Sequence, residues 1–221
     1  MNKTRMRDVR EHFSQRTEHY VTWRSPDFVN INPLRQAKVL EVGCGAKFSF
    51  NLASEKYGID ITPNLLADLK RQDKNINLVM ADARYLPFLD KVFDIVGAIF
   101  VLHHLVGDTR SVSKINISDS LKEMTRVSTD QGHILILEHL SNKLFSNLFF
   151  YVTWVFSRLG LNSDILDIHN RVITFYLDDN TLKKMLNQIG LTSQVMTSQK
   201  WRFRKINLGE DKQLLIQKTT K

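Results

Sequence analysis

The sequence has little cysteine, proline or glycine, and it lacks the pattern of a signal peptide at its N-terminus. Cys44 is the only cysteine among 221 residues, which excludes an intrachain disulfide and a multi-cysteine zinc site. Prolines and glycines number four and nine, and no internal repeat or low-complexity segment is present. Residues 1–10 are charged and lack the apolar core of a signal peptide. We therefore expect a cytoplasmic protein.

Long apolar runs are also missing. The uncharged run 144–157 has 14 residues, fewer than the roughly 20 that span a bilayer, and it contains polar side chains. Hydrophobic residues make up 43% and charged residues 24% of the chain, as in ordinary globular proteins. The net charge of +8 suits nucleic acid, an anionic membrane surface or an anionic substrate, and it identifies none of them.

From residue 37 onward, short apolar segments alternate with helical patterns. This alternation predicts parallel strands with right-handed crossovers, and two late segments, joined by a turn at 207–211, predict an antiparallel hairpin. The predicted fold is α/β and Rossmann-like, with a mostly parallel seven-stranded sheet and helices on both faces. The predicted strands are 37–42, 56–60, 76–81, 93–101, 133–137, 192–201 and 213–217.

Start and stop signals place the helices. Thr62 and Pro63 predict the cap and first turn of a helix that ends near residue 71. A second helix, capped by Ser118 or Ser120, should end near residue 128, with a turn at 131–132. A third should cover 178–189 and stop at Gly190. We expect a cap helix and connecting segment in 1–36, and a domain over 37–221 with an insertion at about 141–176.

Ligands of open α/β sheets bind at the carboxyl ends of the strands, and candidate ligand groups follow four predicted strands. Glycines after Glu41 allow a sharp turn close to a ligand, although Phe48 breaks the Gly-x-Gly-x-x-Gly pattern of dinucleotide sites. Asp60, 19 residues after Glu41, could accept hydrogen bonds from two ribose hydroxyls or cap a helix. Asp82 could accept from an adenine amino group, while the Ala83 N–H donates to a ring nitrogen.

Together these segments resemble the successive motifs of class I S-adenosylmethionine-dependent methyltransferases. The subgroup they most resemble includes the ubiquinone and menaquinone biosynthesis methyltransferases. The resemblance is strong over 37–140 and looser over Val9–Tyr20, because relatives carry a Phe and a Tyr in a helix that caps the cofactor. It also fits Phe175–Leu191. The segments are Val39–Gly45, Gly58–Pro63, Ala81–Ala83, Leu86–Phe88, Phe93–Val96 and Leu102–Leu105.

The resemblance implies that S-adenosylmethionine is the cofactor and S-adenosylhomocysteine the product. It implies that Glu41 and the Gly43-Cys44-Gly45 loop hold the methionyl end, and that Asp60 binds the ribose. Ile61 would flank the adenine, whose edge Asp82 and Ala83 would bind, and Phe100 would line the cofactor from below.

Two departures from the family pattern concern the glycine loop. Lys47 stands where the family has a third small residue, and the segment before Asp60 is short, which predicts an abbreviated first helix. Weaker cofactor binding is one consequence, and a non-catalytic relative that kept the fold is one alternative function.

His103 and His104 follow the fourth strand and are the candidate catalytic bases, with His139 as a second candidate. A plain hydrogen-bonding role at the entry of a loop is the alternative for this pair. The sequence contains no His-Glu-x-x-His spacing, and we predict no metal.

The segment 144–161 should select the substrate. Helical spacing predicts burial of the set Phe145, Leu148, Phe149, Val152, Val155, Phe156 and Leu159, and a second aromatic face of Phe150, Tyr151 and Trp154. With Tyr20, this face would line the substrate side as a lid. The alternatives to a lid are contact with a membrane surface and a homodimer interface. The sequence is equally compatible with a monomer and with a homodimer. The expected acceptor is a small organic or lipid-linked molecule. The basic run 200–205, with its aromatic residues, leaves RNA methylation as an alternative.

Overall fold

A seven-stranded sheet runs through the protein. The computed structural model describes residues 10–13, 36–50, 52–163, 172–203 and 206–218. The strands are β1 (Lys38–Val42), β2 (Glu55–Asp60), β3 (Ile76–Met80), β4 (Phe93–Ile99), β5 (Ser128–Ser141), β6 (Leu191–Phe203) and β7 (Ile206–Lys218).

The strand order is β3-β2-β1-β4-β5-β7-β6. The pairs among β1 to β5 are parallel, whereas β7 pairs antiparallel with both β5 and β6. The predicted fold class, a mostly parallel sheet with a late antiparallel hairpin, is confirmed.

Four helices cover the sheet within the described ranges. They are α1 (Pro63–Gln72), α2 (Arg110–Val127), α3 (Lys143–Leu159) and α4 (Asp179–Gln188), and a short 3-10 turn spans Leu102–His104. Residues 10–13 form one helical turn. None of these helices combines the length and the apolarity needed to cross a membrane.

Alternate residues of the central strands face two separate hydrophobic cores. Val96 of β4 belongs to the larger core, which it shares with Leu121 of α2 and Leu186 of α4. Its neighbour Ile95 belongs to the smaller core, which includes Leu69 of α1. Because successive side chains of a strand point to opposite faces, the two clusters identify the two covered faces of the sheet.

In the smaller core, two phenylalanines fill the space between β1 and β2 where a helix was expected. Between β1 and β2 the described residues form turns and no helix, so the first helix, which the short spacing predicted to be abbreviated, is absent from them. Phe48 and Phe50 are buried there and pack edge to face, with ring centroids 6.0 Å apart. Phe50 lies directly on Gly97 of β4, where an added Cβ would be 2.2 Å from its Cζ.

Several local predictions are wrong. Thr62 occupies the position before α1, but its side chain makes no capping hydrogen bond. The helix α2 begins at Arg110, where Thr109 accepts a hydrogen bond from the Val112 N–H, and Ser120 is buried inside that helix. Thr109, which follows Gly107 and Asp108, is itself a capping residue type, so the start signal of this helix is in the sequence and Ser118 and Ser120 were the wrong choice.

The two predicted turns near β5 and β7 are also wrong. β5 continues through residues 131–132, and a shift in register against β4 between Phe93 and Ile95 accommodates the irregularity. Residues 207–211 lie within β7, so the hairpin connection falls at 204–205, outside the described residues.

The division into a cap segment and a main domain stays a prediction. Residues 14–35, which include Tyr20, lie outside the described residues, as do residues 164–171 of the expected insertion. The predicted cytoplasmic location also stays a prediction.

Candidate active site

The carboxyl ends of β1, β2 and β4 lie side by side at one edge of the sheet. Val42 at the end of β1 is in register with Ile59 on one side and with Ala98 on the other. The candidate groups that follow these strands therefore converge, as the sequence predicts.

The glycine loop after β1 needs its glycines for backbone geometry. Gly43 and Gly45 have φ of 66° and 58°, in the left-handed region that side chains disfavour. A Cβ on Gly43 would also lie 2.5 Å from Val101 Cγ2. The Cys44 N–H donates to the Ile59 carbonyl at 2.9 Å, and its thiol packs under Gly58. Because the Cys44 side chain is buried, only its backbone could contact a ligand in this loop.

Glu41 anchors the far side of this loop. Its buried carboxylate accepts from the Ser49 N–H at 2.7 Å and from the Ser49 hydroxyl at 2.9 Å. These two bonds close the loop that contains Lys47. The sequence did not single out Ser49.

Asp60 joins the end of β2 to the glycine loop. One carboxylate oxygen accepts from the Gly45 N–H at 3.0 Å, and the other accepts from the Thr62 N–H at 2.8 Å. A carboxylate oxygen can accept more than one hydrogen bond, so this arrangement suits two neighbouring hydroxyl groups. Ile61 follows directly and is half-buried.

Asp82 is held by a partner that the sequence reasoning missed. Its carboxylate accepts from Arg84 Nε at 3.0 Å and from Arg84 Nη2 at 2.6 Å, and Arg84 also donates to Asn116. Burial opposes ionisation of Asp82, but the hydrogen bonds and charge of Arg84 outweigh it, so the pKa of the carboxyl lies below its usual value. Asp82 is therefore a fixed, ionised acceptor beside the buried Ala83.

Beyond β4, Glu138 organises a cluster of histidines. This buried carboxylate accepts from the Leu102 N–H at 2.7 Å, from the His139 N–H at 2.8 Å and from the His103 N–H at 3.3 Å. It also lies 2.5 Å from His103 Nδ1. Burial opposes its ionisation, but His103 outweighs burial and lowers the pKa of Glu138. His103 is thus a buried ring whose orientation Glu138 fixes.

His139 forms a second pair of imidazole and carboxylate. Its Nδ1 lies 2.5 Å from Asp211 Oδ1 of β7, and its ring stacks on Phe100 with centroids 4.3 Å apart and planes inclined by 21°. Its side chain is 22% exposed, against 7% for His103. Of the two paired histidines, His139 is therefore the more accessible to a substrate.

His104 is half-buried and packs between two rings. Its ring lies 4.0 Å from that of His103 and 4.9 Å from that of Phe13 in the helical turn 10–13. Burial, reinforced by the neighbouring histidines, holds the pKa of His104 well below its usual value. Its buried Nδ1 has no hydrogen-bond partner among the described residues. His104 is therefore a neutral ring that packs in the cluster.

A stack of flat rings adjoins the histidines. Phe145 and Phe149 of α3 stack with centroids 5.4 Å apart, and Phe149 stacks on Tyr176 at 5.2 Å. Tyr176 in turn lies 5.5 Å from His103 and 5.8 Å from His139. Sequence reasoning assigned these two phenylalanines to the core and did not consider Tyr176.

The three aromatic residues of the predicted second face of α3 differ in exposure. Phe150 is buried and packs edge to face on Phe175, whereas Tyr151 is exposed. Trp154 is half-buried beneath the Arg158 guanidinium, which lies 5.2 Å from its ring. The rings of Phe150 and Tyr151 contact each other edge to face, with centroids 5.6 Å apart. Their role on the substrate side, like that of Tyr20, stays a prediction.

The basic run 200–205 begins in β6, the outermost strand of the sheet. Lys200 is exposed there, and the side chains from residue 201 to 208 lie outside the described ones. RNA methylation stays a prediction.

The chain is similar in sequence to known methyltransferases. Residues 40–136 match a family described as "Methyltransferase domain". A demethylmenaquinone methyltransferase of Staphylococcus haemolyticus is 30% identical over 193 residues, which cover 78% of this chain and 76% of that protein. The chain belongs to the class I S-adenosylmethionine-dependent methyltransferases. This methyltransferase is also 29% identical to the demethylmenaquinone methyltransferase of Staphylococcus saprophyticus over 196 residues, 80% of this chain and 79% of that protein.

The fold of the methyltransferase recurs among solved structures. A methyltransferase from Methanosarcina mazei superposes with a TM-score of 0.65 at 15% identity, covering 87% of this chain and 100% of that one. The cofactor is S-adenosylmethionine, and S-adenosylhomocysteine is its product. The carboxylates suit this cofactor, because Asp60 can accept from the hydroxyls of a diol and Asp82 can accept from an amino group.

Proposed function

We propose that this methyltransferase transfers the methyl group of S-adenosylmethionine to a small, flat, apolar acceptor that carries an aromatic hydroxyl, such as a hydroquinone. The observation that carries the proposal is the ring stack of Phe145, Phe149 and Tyr176, which adjoins the paired histidines beside the cofactor edge. Aromatic side chains favour offset stacking with a flat partner. The relatives named above, which act on demethylmenaquinone, support the same acceptor class.

The binding roles follow from the strand ends. We assign the ribose hydroxyls to Asp60, the adenine edge to Asp82 and Ala83 with Ile61 beside the ring, and the methionyl end to Glu41 and the Gly43–Gly45 backbone. Phe100 would line the cofactor from below. When bound, S-adenosylmethionine supplies an electrophilic methyl group on a cationic sulfur, and positioning of the acceptor accounts for much of the rate.

His139 is the base that the geometry favours. Asp211 holds its Nδ1 side, so the proton of an acceptor hydroxyl would pass to Nε2, and the carboxylate would stabilise the resulting imidazolium. Removal of that proton leaves an oxyanion, which makes the oxygen or the adjacent ring carbon nucleophilic. The sequence favoured His103 and His104 for this role. We now assign His103 to positioning, since Glu138 fixes its ring, and His104 to packing.

Cofactor binding tests the first half of the proposal. Asp60→Asn should weaken S-adenosylmethionine binding, measured by calorimetry, about tenfold or more, because hydrogen bonds to a charged acceptor are worth roughly 1.5–3 kcal/mol. Asp130→Asn is the charge-matched control at the amino end of β5, and it should bind like the unsubstituted protein. Equal affinities for both variants would disprove the assignment of Asp60.

Methyl transfer tests the second half. With labelled S-adenosylmethionine and reduced demethylmenaquinone, His139→Asn and Asp211→Asn should each lower kcat by roughly a hundredfold or more, as expected for loss of a general base. Both variants should keep the cofactor affinity. Transfer to RNA but not to the hydroquinone would replace this acceptor class, and full activity of His139→Asn would remove His139 from the mechanism.

A further inference from the structure

The burial pattern of α3 is the reverse of that of an ordinary surface helix. Its buried side chains are mostly small and polar, whereas its exposed side chains are mostly apolar. Leu144 is 77%, Leu148 60% and Leu159 65% exposed. The buried strip is Ser146, Phe150, Thr153 and Ser157. The apolar outer face also includes Tyr151 and Val155. Three residues predicted to lie in the core, Leu148, Val155 and Leu159, are therefore part of a continuous outer stripe.

Specific contacts fix this orientation. The Ser146 hydroxyl donates to the Tyr176 carbonyl, and the Thr153 hydroxyl accepts from the Thr174 N–H at 3.3 Å. Phe150 packs on Phe175 between them. A half-turn of the helix would break these contacts and bury Leu148 in place of Ser146. The outward direction of the leucines is thus set by the inner strip.

The charges on this helix have one sign. No aspartate or glutamate occurs from residue 139 to residue 163, while Lys143 and Arg158 stand exposed at the two ends of α3. Basic residues at the margin of an apolar helical face, together with the exposed Tyr151, match the chemistry of an anionic lipid surface.

The same charges disfavour a second copy of this chain as the occupant. In an antiparallel pair of α3 helices, Lys143 of one copy would approach Arg158 of the other, and in a parallel pair each residue would approach its own equivalent. The helix offers no acidic side chain to compensate either arrangement, and juxtaposed like charges disfavour association.

We propose that the outer face of α3, formed by Leu144, Leu148, Tyr151, Val155 and Leu159, docks the protein on an anionic membrane surface. The helix lies in the plane of the headgroups, with its leucines in the acyl boundary and Lys143 and Arg158 on lipid phosphates. Its inner edge carries Phe145 and Phe149 of the ring stack, so the docked face and the candidate acceptor site share one helix. The docking itself does not depend on the identity of the acceptor.

Vesicle sedimentation tests this proposal with the full chain. The protein should bind vesicles of phosphatidylcholine with 30% phosphatidylglycerol at least fivefold more than vesicles of phosphatidylcholine alone, and added salt should reduce the difference. Leu144→Ser/Leu148→Ser should lower binding at least tenfold. The matched control is Leu52→Ser/Leu89→Ser, which alters two exposed leucines outside α3 and should bind normally.

A second pair of variants separates charge from apolar contact. Lys143→Gln/Arg158→Gln should remove the preference for anionic vesicles, whereas Lys122→Gln/Lys183→Gln, also exposed, should keep it. Cofactor affinity, measured for every variant, reports that the fold is intact. Unchanged vesicle binding of the leucine variant would overturn the proposal. So would a stable dimer in ultracentrifugation that Leu148→Ser dissociates.

Discussion

Glu138 is enclosed by β5 and the 3-10 turn, and its carboxylate accepts hydrogen bonds from three backbone N–H groups and from His103. Replacement by glutamine keeps the size but puts an amide against those donors. Glu138→Gln should lower the free energy of unfolding by about 3 kcal/mol at neutral pH. Urea unfolding measures this loss, and Glu55→Gln, on an exposed side chain, is the control that should change little.

The same substitution predicts a pH dependence. Because the pKa of Glu138 in the folded protein lies below the ordinary value of 4.5, its contribution is complete above about pH 4.5 and disappears as the pH falls through the lower folded pKa. The stability gap between the parent and Glu138→Gln should therefore narrow in acid. A gap that stays constant down to pH 3 would show that the carboxylate is not ionised in the fold.

His104 should give the fold a second acid sensitivity, at higher pH. The unfolded chain binds a proton near pH 6.5, whereas burial prevents the folded ring from doing so until a much lower pH. Stability should decline below about pH 6.5, with a slope from this residue of at most about 1.4 kcal/mol per pH unit. His104→Phe should flatten that decline, and His133→Phe, outside the cluster, should not.

At the scale of elements, the two phenylalanines that replace the first helix depend on Gly97. Gly97→Ala should destabilise the protein by about 1–3 kcal/mol, because the added methyl group overlaps the Phe50 ring. Phe50→Leu should reduce that cost by making room. A double-mutant cycle measures the coupling, and strictly additive losses would mean that the methyl group is accommodated elsewhere.

The sequence predicted the strands that carry the cofactor motifs because each ends in residues with a local conformational meaning. Gly43 and Gly45 follow β1, Asp60 ends β2 before the start signal Thr62-Pro63, and Asp82 follows β3. It did not predict the partners of the histidines, because Asp211 is 72 residues from His139 along the chain and only the antiparallel pairing of β7 brings it near. Arg84 was missed for a different reason, since a lone arginine after a strand has no pattern.

The helix α3 shows the limit of periodicity. Its apolar residues follow helical spacing, which normally identifies the buried side, but nearly every face of this helix is apolar. The contacts of Ser146 and Thr153 with residues 174–176 decided its orientation. Such contacts with a distant segment cannot be inferred from spacing within the helix.

At the scale of the whole molecule, the residues assigned to the cofactor come from four segments of the parallel half of the sheet. Binding should therefore stabilise the fold against unfolding as a unit. S-adenosylhomocysteine at a hundred times its Kd should raise the free energy of unfolding by about 2.7 kcal/mol. Asp60→Asn should show a smaller rise at the same concentration, and an equal rise would contradict the ribose assignment.

The pairing of His139 with Asp211 has a consequence for the order in which the protein is made. The chain is synthesised from residue 1 upward, and the groups assigned to the cofactor are all present once residue 100 has emerged. His139 follows, but its ring gains its carboxylate partner only after β7 has entered the sheet beside β5. The proposed catalytic pair is therefore completed by the final strand of the sheet to be synthesised, when every group assigned to the cofactor is already in the chain.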